Sequence, residues 1–453
     1  MTAGVDFTEL TGGGGCSIMS ATPGPDLEAN GFQENEYAAS GVATRYAHAG
    51  PGSVVPLGED KFATRVLVRR PRLDADFNGT VVVEWLNVSS GSDAAPEYTY
   101  LAEELVRGGY AWVGVSAQYT GVMGGSGSVG GLGESTTATL AAKDPERYSG
   151  LHHPGDAYSY DLFGAVGRSL QLPSAAGAGH PLRGLSVRRL LAVGESQSAM
   201  ALTTYANLFA AEHAVFDGLL IHSRAAAGLS LGEAGTAIDV DTVFAQEPVT
   251  IRTDLPIPAF IVQTETDVLT NFRFYRARQP DTDRLRVWEI AGTSHADLHQ
   301  IGPYEHMLGC PTPVNRGQQR FVLRAALRHL RDWADGGPVP PAAAPLELDD
   351  VSDTTQFALD EVGNVRGGVR TPCVDAPTEI LSGIVGDDVP RICVLFGSTL
   401  PIAPEILASR YTGRADYEQR YRAATTAAVQ AGFILAADRD EALADARPDV
   451  IPD

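Results

Sequence analysis

The chain has 453 residues, 44% of them apolar and 20% charged, which is enough to bury a substantial core and ordinary for a soluble globular protein. A formal net charge of -22, with Lys and Arg dispersed instead of gathered in a stripe, argues against nucleic acid as a ligand. No run approaches the roughly 18 apolar residues that span a bilayer, and the opening MTAGVDFTELTGGGG has no basic stretch ahead of an apolar run, so the expected setting is the cytoplasm with no membrane contact.

Residues 1–60 are rich in Gly, Ala, Ser and Pro with little periodicity, and read as an arm packed on the main body. From Arg65 the segment RVLVRR alternates, Phe77-Asn78-Gly79 makes a turn, and TVVVEWLN is the apolar run expected of a strand buried on both faces. Pro96 to Arg107 has apolar positions at helical spacing and stops at Gly108-Gly109, after which YAWVGVSAQ is the next strand. The glycine-rich stretch from Tyr119 to Gly150 reads as a long covering loop. Within it, Gly125 to Gly130 matches G-x-G-x-x-G but does not open a helix directly from a strand, so it predicts an entrance loop and not a dinucleotide site.

Asp156 can cap a helix reaching Leu170, VRRLLAVG is a strand, SAMALTTYANLFAA a helix and FDGLLIHS a strand. An Ala, Gly and Asp-rich insertion between Ser223 and Pro256 predicts a lid, and IPAFIVQT and RLRVWEIAG then resume the strand pattern. Arg316 to Asp335 closes the body as a long amphipathic helix before Gly336-Gly337-Pro338 breaks the chain. Buried strands alternating with helices predict an α/β fold: a mostly parallel central sheet with helices on both faces. The catalytic body is expected over 61–340, with insertions near 119–156 and 224–257, and a largely helical accessory region over 341–453 packed on it.

The segment VGESQSAM ends a buried strand at Gly194-Glu195-Ser196-Gln197-Ser198 and begins a helix at once, which is the pattern of a nucleophile elbow. Small residues flank the serine because the turn is too tight for larger ones; here Ser198 stands where glycine is commoner. A serine hydroxyl needs a base, and the base a carboxylate that fixes its tautomer. PAFIVQT runs into Glu265-Thr266-Asp267, and RLRVWEIAG runs into Thr293-Ser294-His295, so Ser196, Asp267 and His295 follow the chain order of this fold, each past the carboxyl end of a strand. Asp267 is the expected acid, with Glu265 as the alternative; either could instead cap the following helix. The oxyanion of an acyl-transfer intermediate needs N–H donors, one expected from Gln197 and a second from Asn87 or Val88.

His295 and His299 are spaced as a metal pair on one helical face would be, but Ala296 occupies the place of the Glu in H-E-x-x-H and no third ligand is marked, so no metal is expected. Cys16, Cys310, Cys373 and Cys393 show no CxxC or Cys/His spacing and are expected to be buried free thiols. A Cys310–Cys373 or Cys373–Cys393 bridge would be expected only of an exported chain. The sequence carries no signal of oligomeric state.

The segments VRRP, FNGTVVVEWLNV, GYAWVGVSAQ, HPGDAYSYD, GESQSA, QTETDV and GNVRGGVRTP together resemble the bacterial alpha/beta hydrolase domain proteins over nearly the whole chain. The resemblance implies the α/β-hydrolase fold, a serine nucleophile at Ser196, and a tail that belongs with the catalytic body. Residues and resemblance together predict Ser-His-Asp hydrolysis of a medium-sized, largely apolar small-molecule carboxylic ester without a cofactor. A lactone, a thioester or transfer to an alcohol would use the same triad. A metal-dependent hydrolase through His295 and His299, or a silent fold used for binding, are the readings from other classes.

Overall fold

Apolar runs flanked by glycine become short buried strands wherever helices can cover both faces, and this rule accounts for the centre of the molecule. The computed structural model describes residues 4–19, 24–128, 138–171, 179–351, 354–386 and 388–452. Two units, Met1–Ala259 and Phe260–Asp453, are described in turn.

The first unit contains strands β1 (Asp6–Glu9), β2 (Phe32–Gly50), β3 (Ser53–Pro71), β4 (Thr80–Trp85), β5 (Ala111–Val115), β6 (Arg189–Glu195) and β7 (Gly218–His222). Their spatial order is β1-β2-β3-β5-β4-β6-β7. β5, β4, β6 and β7 are parallel, and every residue of β4, β5 and β7 is buried. The helix Pro96–Arg107 connects β4 to β5, ending at Gly108 as expected, and Gln197–Leu208 connects β6 to β7.

The N-terminal stretch departs from the expected arm. Residues 32–50 form β2, which pairs antiparallel with β3 along nearly its whole length, and β3 in turn pairs antiparallel with β5. Much of the hairpin is only half-buried, so small and charged residues share its faces and the period-2 pattern is blurred. Asp156 also differs from expectation. Asp156–Tyr158 is a short 3-10 turn ahead of the helix Ser159–Leu170, with no side-chain cap from Asp156. Its carboxylate instead accepts the Tyr119 N–H at 2.6 Å and the Ile238 N–H at 2.8 Å, one from each insertion. Of the G-x-G-x-x-G stretch, Val129 and Gly130 lie outside the described residues.

In the second unit β8 (Ala259–Thr264) and β9 (Leu285–Ile290) are neighbours, and Gln319–Ala334 is the long closing helix. The tail carries the expected helices, including Arg391–Phe396 and Arg414–Gln430. It also carries strands that the sequence reading missed: β10 (Leu348–Val351) pairs with β11 (Thr354–Phe357), and β12 (Glu379–Ser382) with β13 (Ser398–Pro401). Four residues each are too few for a period to show. The tail is bound to the closing helix by buried charge. Arg324, 1% exposed, pairs with Asp438 at 3.0 Å and Glu441 at 2.6 Å.

Cys310 and Cys393 form a disulfide, a pairing that corrects the expected free thiols. The partners are 83 positions apart, so local spacing could not reveal them; packing of Arg391–Phe396 in a cluster with Leu308, Val314 and Ala296 brings them together. Cys16 and Cys373 are free. Among the described residues no helix is long and apolar enough to cross a membrane.

Candidate active site

Ser196 stands between β6 and the helix Gln197–Leu208 with φ 61° and ψ -120°, a conformation that costs a non-glycine residue roughly 1–3 kcal/mol. The strain is held by hydrogen bonds on both sides: Ser196 N–H donates to His222 O at 2.9 Å, and Met200 N–H to Ser196 O at 3.0 Å. Crowding explains the small flanking residues, since a Cβ on Gly194 would lie 2.9 Å from Ser198 Cβ.

The loop after β4 is ordered by its own amide. Asn87 Nδ2 donates to Glu195 O at 3.1 Å, beside the serine, and Asn87 Oδ1 accepts the Ser89 N–H at 2.8 Å. Gln197 Oε1 accepts from Ser89 Oγ at 3.0 Å, tying the same loop to the start of the elbow helix. The Asn87 N–H is committed to Ala94 O at 2.9 Å, and Ala94 N–H returns to Asn87 O at 2.8 Å. This bridge bears on the two donors left open by the sequence, because the Val88 N–H has no such partner among the described residues.

A buried carboxylate pair behind the elbow was missed by the sequence reading. Glu84 on β4 accepts from Trp112 Nε1 at 2.8 Å and from the N–H groups of Tyr98 and Glu97 at 2.9 and 3.1 Å. Glu97 Oε1 lies 3.0 Å from Nδ1 of His222, whose carbonyl holds Ser196. Burial, with the Glu97 charge added, pushes the Glu84 carboxyl well above its ordinary range. A lone Glu inside the apolar run TVVVEWLN was the available signal.

In the second unit Asp267 and His295 meet: Asp267 Oδ1 lies 2.7 Å from His295 Nδ1. The helix that carries Asp267, Glu265–Leu269, begins with a capping box in which Thr264 is the N-cap and Asp267 the third residue. Asp267 Oδ2 accepts from Thr264 N–H at 2.8 Å and Thr264 Oγ1 at 2.7 Å, so one oxygen caps and the other orients the imidazole. Burial raises the Asp267 carboxyl, but His295 and the two Thr264 donors outweigh it and hold it below the usual carboxylate value. An ionised acceptor fixes Nδ1 as the protonated nitrogen and makes Nε2 the nitrogen that can take up a proton. The Phe272 ring, 4.5 Å from the imidazole centroid, supports it.

Glu265 is turned elsewhere, accepting from Gly292 N–H at 2.6 Å and Gly383 N–H at 2.8 Å. Burial pushes it up to about 8 against the pull of these donors and Arg370. Gln319, unremarked in the sequence, brackets the histidine: its Nε2 donates to Ser294 O at 3.1 Å and Asp297 Oδ2 at 2.9 Å. Asp297 also caps the turn Leu298–Ile301 that carries His299. Among the described residues no group of three His, Cys, Asp or Glu side chains is arranged to hold a metal.

A parallel sheet with a serine at positive φ at the end of β6, and an Asp–His pair on the turns after two later strands, has the architecture of an α/β hydrolase. The chain belongs to the alpha/beta hydrolase domain family, whose model matches residues 6–444. No curated protein sequence matches it. Solved structures similar to it include fungal esterases from Rhizomucor miehei, at 12% identity and TM-score 0.34, covering 69% of this chain and 92% of theirs. An esterase from Pyrococcus furiosus matches at 12% identity and TM-score 0.32, covering 61% and 89%. A glucuronoyl esterase from Solibacter usitatus matches at 9% identity and TM-score 0.30, covering 66% and 83%.

Proposed function

We propose that the protein is a serine hydrolase of carboxylic esters, with Ser196 as nucleophile, His295 as general base and Asp267 as the acid that orients it. The observation that carries the reading is the backbone of Ser196, a non-glycine residue kept at positive φ between a buried strand and a helix. The Asp267–His295 bond supports it, because a carboxylate on Nδ1 gives the imidazole a defined tautomer.

In this mechanism His295 Nε2 takes the proton from Ser196 Oγ as the oxygen attacks the ester carbonyl. The oxyanion is held by the N–H groups of Gln197 and Val88. The imidazolium protonates the departing alcohol; water, deprotonated by the same nitrogen, then releases the acid. No cofactor enters. Substrates are medium-sized, largely apolar small-molecule esters, in keeping with the Leu, Val and aromatic residues of the insertions. The expected cytoplasmic setting is at odds with the Cys310–Cys393 disulfide, which favours an oxidising compartment.

The test is a fluorophosphonate probe with peptide mapping, followed by ester, lactone and thioester panels on the wild type and Ser196→Ala. Labelling of the peptide containing Ser196, and loss of turnover in Ser196→Ala, are expected. Labelling elsewhere or undiminished turnover would overturn the reading, and the panel separates ester from lactone and thioester cleavage.

A further inference from the structure

We propose that the tail helix Arg391–Phe396, fastened by the Cys310–Cys393 disulfide, is the clamp that holds the His295 loop in its working position. The inference rests on His295 being the general base and assigns the tail a positioning role in catalysis.

The last carbonyls of any helix have no partner within it, and here two of them are spent on the residues either side of the histidine. Leu395 O accepts the Ala296 N–H at 2.9 Å. Phe396 O accepts the Asn315 N–H at 2.8 Å and lies 3.2 Å from the Ser294 hydroxyl, which also reaches Ala296 O at 2.5 Å. Asn315 O in turn accepts the Leu298 N–H at 2.8 Å. The loop is therefore gripped at positions 294 and 296 by chain about 100 residues later, and at 298 by Asn315, whose own N–H is held by Phe396 O.

A helix of six residues is far too short to be stable alone, so its place must be set by what it packs on. An apolar cluster of Ala296, Leu308, Val314 and Phe396 supplies part of that. The disulfide supplies the covalent part, joining Cys393 in the helix to Cys310 on the segment that follows the histidine. Packing at the end of the helix is close: a Cβ on Gly397, itself at φ 56°, would lie 2.8 Å from Ser294 Cβ.

Opening the disulfide should therefore loosen the base without dismantling the Asp267 capping box. A dithiol does this by thiolate attack on one sulfur. The S–S bond breaks, the two cysteines gain two electrons and two protons, and the dithiol closes to its cyclic disulfide.

The experiment compares kcat and KM on a p-nitrophenyl ester for the oxidised wild type, the wild type treated with dithiothreitol, and Cys310→Ser/Cys393→Ser. Cys16→Ser/Cys373→Ser, given the same reductant, controls for the other thiols. The state of the bond is read by alkylation and mass spectrometry, and unfolding temperature is recorded for each protein. Breaking the bond is expected to lower kcat at least tenfold at a temperature well below unfolding, with KM changed less than twofold. The rate of fluorophosphonate labelling at Ser196 should fall in parallel, and reoxidation should restore both. The control pair should respond to reductant as the wild type does.

Unchanged kcat in protein shown to lack the bond would overturn the proposal. So would a loss of kcat that disappears when the assay is cooled by twenty degrees, since that is ordinary unfolding, or purified protein with both thiols free and full activity. If the double variant does not fold, reduced wild type decides alone. Absence of phosphonate labelling at Ser196 in the oxidised protein would instead sink the serine-hydrolase reading, which keeps the two failures apart.

Discussion

Glu265 and Asp267 stand two residues apart on one helical turn and are put to different uses: Asp267 Oδ1 faces His295 Nδ1 at 2.7 Å, while the two oxygens of Glu265 take the N–H groups of Gly292 and Gly383. Both are completely buried. What separates them is the donors each one finds: an imidazole that gains from a charged neighbour in one case, and two backbone amides in the other. The geometry thus favours the shorter side chain as the acid, and it makes Glu265 a tie between the turn before His295 and the tail.

Asp267→Asn keeps the side-chain shape and can keep the cap on Thr264, but offers no full charge to His295. Its kcat on an ester should fall on the order of 10³-fold with little change in KM. Glu265→Gln should keep kcat within about tenfold, because it touches no reacting atom. Steady-state kinetics on the two variants side by side checks the assignment; equal losses, or a larger one in Glu265→Gln, would reverse it.

Stability should depend on pH through Glu265. Its folded pKa, about 8, lies above the ordinary value of 4.5, so the folded state keeps a proton that the unfolded chain releases. The folded state is favoured fully below about 4.5 and loses that advantage as pH rises towards about 8. Asp267 has the opposite sign: its contribution is present above 3.8 and is lost only as pH falls further. Melting temperatures from pH 5 to 8 should therefore decline in the wild type relative to Glu265→Gln. Parallel curves for the two proteins would show that Glu265 is ionised throughout.

Backbone N–H groups can be tested with proline. Val88→Pro removes one free donor, and kcat should drop about 10²-fold or more with the melting temperature little altered. Asn87→Pro breaks the bridge to Ala94 and should register mainly as lost stability. Kinetics and calorimetry on the pair decide which amide serves the oxyanion.

Asp156 joins the two insertions through Tyr119 and Ile238. Asp156→Asn retains one acceptor oxygen and should release one of the two loops. The expected result is a KM raised several-fold for larger esters, with kcat on a small acetate ester preserved. An equal change for both substrates would mean that the clip supports the whole unit instead of the entrance.

What could be read from the sequence is what short-range chemistry dictates. The elbow at Gly194 to Ser198 and the turn Thr264 to Asp267 are local patterns, and the helix Pro96–Arg107 is bounded by its own proline and glycines. What escaped depends on distant partners. β2 owes its place to β3, across a hairpin whose faces are only partly buried. Cys310 finds Cys393 through tail packing, and the choice between Asn87 and Val88 turns on a bridge to Ala94 that no periodicity announces. Gln319, first residue of a helix recognised by its apolar face, gave no hint that its amide would reach the loop before it.

The register of β6 against β7, from Leu191 opposite Gly218 to Glu195 opposite His222, determines how far the Ser196 hydroxyl stands above the end of the sheet. Slippage by a single residue would invert every side chain of the strand and send that hydroxyl to the wrong height. Partial disorder at this seam should therefore extinguish activity outright instead of diminishing it by degrees, so that turnover during denaturation reports the integrity of two neighbouring strands more sharply than bulk helicity does.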